Sequence, residues 1–194
     1  MNDALLVVDV INKFDHDNGG SLLASFRSRL SQMIETLAQA RSRQARLIYV
    51  NDAGGDWSGD APGFVQRAID SGEGGDVVEA LRPGAGECFM FKPRYSAFDY
   101  TPLAPVLEAD HVERILLIGA ATEGCVVQSA IDARELGLKA TILSHACATA
   151  NEKLEGIALA YAADVGGVRV ATSLNEAIAQ TTEDGATQPP RPRQ

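Results

Sequence analysis

Asp9, Lys92 and Cys125 are an acid, a cation and a thiol, and each lies at or just beyond the end of a short apolar run. Asp9 closes "ALLVV", Lys92 follows "CFMF", and Cys125 stands just past "ILLIGAATEG". Together they have the makings of acyl-transfer chemistry. A thiol is a weak nucleophile until it becomes a thiolate. A helix N-terminus and a nearby lysine both favour the anion. A carboxylate within reach can take the thiol proton and later hand it to a leaving group. Backbone N–H groups in the tight "AATEGC" turn can receive the oxyanion of a tetrahedral intermediate. Each residue also has a plainer reading, as a buried small hydrophobe, a helix cap and a solvated charge. The coincidence of all three at run ends favours the chemical one.

For these residues to meet, the runs must be neighbouring strands that end at one edge. "LLVV" (5–8), "LIYV" (47–50), "CFMF" (88–91), "ILLI" (115–118), "ATIL" (140–143) and "VRV" (168–170) have strand length. They lack polar alternation, which predicts a parallel sheet covered on both faces. Helical spacing appears between them. Leu22, Phe26, Leu30, Met33, Ile34 and Leu37 mark one face of a helix over 22–43, with Arg27, Arg29, Glu35 and Arg41 on its wet side. Residues 124–136, 152–163 and 173–180 read as further helices, the first stopped by Gly137. The stretch 51–76, rich in Gly and Asp, reads as a long loop with one short helix. Strands alternating with helices predict an α/β fold, three-layered and doubly wound around a mostly parallel sheet. In such sheets ligands bind beyond the carboxyl ends of the strands.

With 194 residues the chain suits one domain, expected over 1–182, with 183–194 as a disordered tail. The net charge of -9 argues against nucleic acid or an anionic membrane as partner and leaves a small molecule. "MNDALLVVDV" lacks the basic start of a signal peptide, and no apolar run reaches membrane-spanning length. Cys88, Cys125 and Cys147 are three widely spaced thiols, neither a disulfide framework nor a zinc pattern, so a reducing cytoplasm is expected.

"ALLVVDVINKF", "KPRYSAFDYTPL" and "IGAATEGCVVQSAIDARELGLKATILSHACAT" resemble the isochorismatase-like hydrolase superfamily, from about residue 4 to about residue 179. That group includes nicotinamidases and N-carbamoylsarcosine amidohydrolases. The resemblance implies a six-stranded parallel sheet, a catalytic triad of Asp9, Lys92 and Cys125, and a homodimer or homotetramer. It also implies a cis peptide joining Ala120 to Ala121, which aims the Ala121 and Cys125 amides at the oxyanion.

The departures narrow the expectation. Nicotinamidases resemble one another in an Asp/His metal cluster after the second strand. Here "YVNDAGGDWSGD" has no histidine, with Asn51 and Trp57 where such ligands are expected. Asp52, Asp56 and Asp60 remain as candidates for a hard cation, but no metal or other cofactor is expected. Cys125 argues for acyl chemistry over vinyl-ether hydrolysis. Ile11 and Lys13 stand where the first motif usually carries Gln or a second Asp, and His145 stands where an Asp is common. His145 and Cys147 are candidates to share one side of the fifth strand.

The reading is a metal-independent cysteine hydrolase. It cleaves a C–N bond of a small amide, carbamoyl or ureido compound through a Cys125 thioester. Phe14, Trp57, Tyr95 and Phe98 are candidates for the substrate pocket. The alternatives are a binding or assembly module on the same fold, and a nicotinamidase-type amidase with an atypical metal site. An aspartyl phosphatase would need a second Asp where Ile11 stands, and a dinucleotide-binding fold would need Gly-x-Gly-x-x-Gly after the first strand. The tail's "PPRPR" offers a possible polyproline ligand.

Overall fold

A computed structural model describes residues 3–179, so the expected tail over 183–194 lies outside the described residues. Five of the apolar runs lie wholly in strands and the sixth, 168–170, starts one residue before its strand: β1 (Asp3–Val8), β2 (Arg46–Asp52), β3 (Cys88–Lys92), β4 (Arg114–Ala120), β5 (Lys139–Ala148) and β6 (Arg169–Ala171). They form one parallel sheet in the order β3-β2-β1-β4-β5-β6. The chain winds outward from β1 to the β3 edge, then returns to β4 beside β1. The sheet therefore reverses direction between β1 and β4, where an open α/β sheet leaves a crevice.

Successive residues of a strand face opposite sides, and β1 divides its side chains accordingly. Leu5 and Val7 join a core under α1 (Gly19–Ser42), α2 (Ala61–Ile69), α3 (Gly75–Leu81) and α7 (Leu174–Ala179). Ala4, Leu6 and Val8 join a second core under α4 (Leu103–Ala109), α5 (Val127–Glu135) and α6 (Glu152–Asp164). Burial on both faces explains why the strands read as unbroken apolar runs. None of the described helices is long and apolar enough to cross a membrane.

Three features differ from the sequence reading. The stretch 51–76, read as a long loop with one short helix, contains that helix as α2 and also the start of a second, α3. Asp60 opens α2 by accepting from the Gly63 amide at 2.9 Å, with Pro62 in the first turn. The short α4 is an additional helix, with Pro105 tolerated in its first turn. On α1, Ile34 is exposed, while Arg29 turns inward instead of standing on the wet side.

One face of β3 is covered by aromatic rings. Phe64 of α2 packs edge-on against Phe91 at 5.1 Å and lies 6.2 Å from Phe89, which stacks on Tyr49. At the other side of the molecule, α6 turns Leu154, Ile157 and Tyr161 to solvent, followed by Val165 at its end. Their spacing makes one exposed apolar stripe.

β5 carries a register shift. Ile142 pairs with Leu117, but Cys147 pairs with Gly119, so residues 143–146 bulge opposite Ile118 alone. The bulge separates two residues expected to share a side. His145 meets Thr36 of α1 at 3.1 Å, whereas Cys147 is buried in the core under α4–α6 and its thiol meets the Leu143 carbonyl at 3.3 Å. They do not form a pair.

Candidate active site

The sheet brings Asp9, Lys92 and Cys125 together. Asp9 leaves β1 in a left-handed conformation (φ 50°), its amide bonded to the Val50 carbonyl at 3.1 Å. Its Oδ1 accepts from the Asp52 amide at 2.6 Å, and its Oδ2 faces Lys92 Nζ at 2.8 Å. Lys92 ends β3, two strands from β1, so its stem crosses the end of β2. Its side chain is fully buried. The ammonium has three protons and three acceptors: Asp9 Oδ2, the Arg94 carbonyl at 2.9 Å and Cys125 Sγ at 3.3 Å. Every donor is used, so the group is held in one orientation.

Cys125 does not sit in the first turn of a regular α-helix. After Gly119 and Ala120 a cis peptide leads to Ala121, and Thr122–Val126 form a single π-helical turn before α5. Gly124 breaks helical geometry inside that turn, so the expected helix over 124–136 begins only at Val127. The Ala121 carbonyl accepts from the Gly124 and Val126 amides at 3.0 and 3.3 Å. Ser129 accepts from the Ala97 amide at 2.8 Å and donates to the Cys125 carbonyl at 2.6 Å, which ties the loop after β3 to the turn that carries Cys125.

The electrostatics overturn one expectation. Burial and the neighbouring Asp9 charge outweigh Lys92, and the Cys125 thiol is pushed up to about 12. It is a neutral thiol at rest, not the thiolate that helix position and lysine alone would give. Cys147 is pushed up to about 12 by its burial, and burial also raises Cys88. Burial raises Asp9 above its ordinary 3.8, against the pull of Lys92, the Cys125 thiol and the Asp52 amide. Burial pulls Lys92 down, but Asp9 and Cys125 outweigh it and hold it above its ordinary value.

These shifts fix the sign of a pH effect. Asp9 must be ionised to take the thiol proton, and its raised pKa holds the carboxyl proton to higher pH. Catalysis that uses Asp9 as base therefore falls off on the acid side already above the ordinary Asp range near 3.9. A profile of kcat/KM against pH checks this, and an acid limb at or below that range would count against Asp9 as the base.

The remaining sequence candidates divide. Phe14 packs edge-on against Phe26 at 5.5 Å and over Gly74, where a Cβ would come within 2.2 Å of its ring. It is a core contact between α1 and α3, not a visible pocket wall. Phe98 is half-buried against the same core as Cys125. Trp57 and Tyr95 are 60% and 67% exposed, on loops that follow β2 and β3. Lys13 is exposed, and Ile11 is buried in the core. Asn51 is a buried clamp, accepting from the Ile11 amide and donating to the Ile11 carbonyl, both at 3.0 Å. Asp52 accepts from the Gly54 amide at 2.6 Å. Asp56 pairs with Arg67, while Asp60 caps α2. Among the described residues no group of three or more His, Cys, Asp and Glu side chains converges as a metal site would require.

Two surface clefts lie away from the triad. One of about 300 Å³ opens at the amino edge of the sheet beside Arg43, Arg46 and Asp110. The other, about 770 Å³, lies between α2, α3 and residues 82–87. The chemistry follows the convergence of side chains, and neither cleft touches it.

A parallel α/β sheet with an acid, a buried lysine and a cysteine at its switch point defines a class of hydrolases. The isochorismatase domain family model matches residues 3–173, and the chain belongs to that family. It is 32% identical over 130 residues to the uncharacterized isochorismatase family protein YaaI of Bacillus subtilis, covering 67% of this chain and 71% of that one. It is 30% identical over 152 residues to maleamate amidohydrolase of Pseudomonas putida, covering 74% and 70%. The crystal structure of N-carbamoylsarcosine amidase from Thermoplasma acidophilum superposes with a TM-score of 0.65 at 26% identity, over 88% of this chain and 95% of that one. The chain is a hydrolase of C–N bonds.

Sequence reasoning missed Thr122 and Glu123, through which the turn that carries Cys125 is anchored, and Glu155, which anchors it. Glu155 lies in the first turn of α6, where an acidic residue reads simply as a partner of the helix dipole. Its burial was not legible in the sequence.

Proposed function

We propose that the chain is a metal-independent cysteine hydrolase of a small amide, carbamoyl or ureido compound. The observation that carries this is one fully buried ammonium bonded to both Asp9 and Cys125. Asp9 takes the thiol proton as Sγ attacks the carbonyl carbon, and the carbonyl electrons move to oxygen. The Ala121 and Cys125 amides receive that oxyanion. Its collapse breaks the C–N bond, and the departing nitrogen takes the proton from Asp9, leaving a thioester. Water then attacks while Asp9 removes its proton, and collapse releases the acid and the sulfur, which recovers its proton. Lys92 stays charged throughout and stabilises whichever anion faces it.

The substrate in this reading carries a carboxylate. Maleamate and N-carbamoylsarcosine both do. Arg94, two residues beyond Lys92, lies over the Tyr100 ring at 4.9 Å and has no carboxylate partner among the described residues. In this reading Arg94 is the candidate cation to receive one. A homodimer or homotetramer seated on the α6 stripe and a cytoplasmic setting belong to the same proposal, and sedimentation of the native chain tests the first.

The test is ammonia release from a panel of amides with and without a carboxylate, before and after dialysis against a strong chelator. Turnover of the amido acids that survives dialysis and is absent from Cys125→Ala is the expected result. Activity lost to the chelator and restored by zinc or manganese would overturn metal independence. Binding without turnover across the panel would favour the binding module.

A further inference from the structure

Behind the nucleophile loop is a buried polar cluster that the catalytic steps above do not use. Glu155 of α6 is 9% exposed. Arg29 of α1 grips it with both arms, Nη1 to Oε1 at 2.5 Å and Nη2 to Oε2 at 2.7 Å. Arg29 also donates to the Cys147 carbonyl. The Thr122 hydroxyl lies 2.8 Å from Glu155 Oε1 and 3.1 Å from the Ala148 carbonyl, its one proton shared between two acceptors. The next residue is anchored separately, Glu123 accepting from Thr149 Oγ1 at 2.7 Å and from the Ala150 amide at 3.1 Å. Thr149 is in turn fixed to α1 through its amide, which donates to Ser25 Oγ at 3.0 Å. Three elements distant in sequence thus converge on the two residues that follow Ala121.

We infer that Glu155, locked by Arg29, is a positioning residue for the oxyanion-binding amides, acting through the Thr122 hydroxyl. This rests on the thioester reading above. A buried ion pair is weak evidence of stability, since desolvation offsets much of its attraction. A fork-to-fork pair is however geometrically specific, and here its free lone pair is aimed at the loop whose amides must meet developing charge. Small displacements of such donors cost rate far more than they cost folding.

The test compares two reactions of one thiol. Acylation by p-nitrophenyl acetate builds an oxyanion and releases nitrophenolate in a burst. Alkylation by iodoacetamide displaces iodide from a saturated carbon and builds none. Thr122→Val, which keeps shape and loses the hydroxyl, is expected to slow the burst about 10–100-fold while Cys125 alkylates as in the native protein. Thr122→Ser is expected to restore most of the burst. Glu155→Gln keeps an acceptor for Thr122 but weakens the grip of Arg29, and is expected to fall between them. It carries the test if Thr122→Val does not fold. A native burst rate in Thr122→Val, or in Glu155→Gln where that variant carries the test, overturns the proposal, as does equal slowing of both reactions. A burst that persists unchanged in Cys125→Ala overturns the thioester reading instead.

Discussion

Cys125→Ala and Asp9→Asn each slow turnover by about 10⁴-fold or more, and the double variant is hardly slower than either. The reason lies in the site. The thiol is held neutral, pushed up to about 12, so it attacks only as its proton leaves, and Asp9 is the carboxylate beside it. Removing base or nucleophile stops the same step, so the two losses do not add. Asp9→Asn retains the thiol and the Lys92 ammonium, and Cys125→Ala retains the base. Quenched native enzyme with a slow amide should show an acyl adduct on Cys125 by mass spectrometry, absent in Cys125→Ala. Losses that multiply in the double variant would mean that the two residues serve different steps.

Gly119→Ala destabilises the fold by on the order of 3–5 kcal/mol. Gly119 pairs with Val8 across β4 and β1, at a φ of 123° that side chains rarely adopt. A Cβ there would lie 1.9 Å from the Val8 carbonyl oxygen and 2.8 Å from the Val8 amide nitrogen. Both obstacles are backbone at the centre of the sheet, where nothing can swing aside. Urea unfolding of the variant measures the loss. Gly156→Ala in α6 is the control, because no heavy atom lies within 4 Å of its Cβ position and a helix accepts alanine there. A Gly119→Ala loss below about 1 kcal/mol would show that the β1–β4 register relaxes.

The strands were legible because each is buried on both faces and spells an uninterrupted apolar run, and the triad because it falls where those runs end. Of the short helices, α2 was legible only as one helix somewhere in 51–76, and α3 and α4 were not, since Gly, Pro and Asp mark their starts as readily as they mark loops. Arg29 was misread for a general reason. A charge on an amphipathic helix goes to the wet side unless a partner buries it, and its partner Glu155 is 126 residues away. The protonation of Cys125 was misjudged because helix and lysine can be read from sequence, while the burial that outweighs them cannot. The substrate candidates were named by aromatic character alone. Phe14 has that character for packing, and Gly74 shows it only once the two are side by side.

Lys92 belongs to the outermost strand of the sheet. Among the described residues β3 pairs with one strand, β2, and Phe64 of α2 packs on the rings of Phe89 and Phe91 on its face. Outer strands open locally at less free energy than the centre of a sheet. Lys92 thus leaves with the segment least expensive to detach, while the strands that lead into Asp9 and Cys125 stay paired. Working lifetime and folded lifetime are then separate properties of this molecule. The first follows the outer strand that carries Lys92, and the second the register of the two strands at the centre.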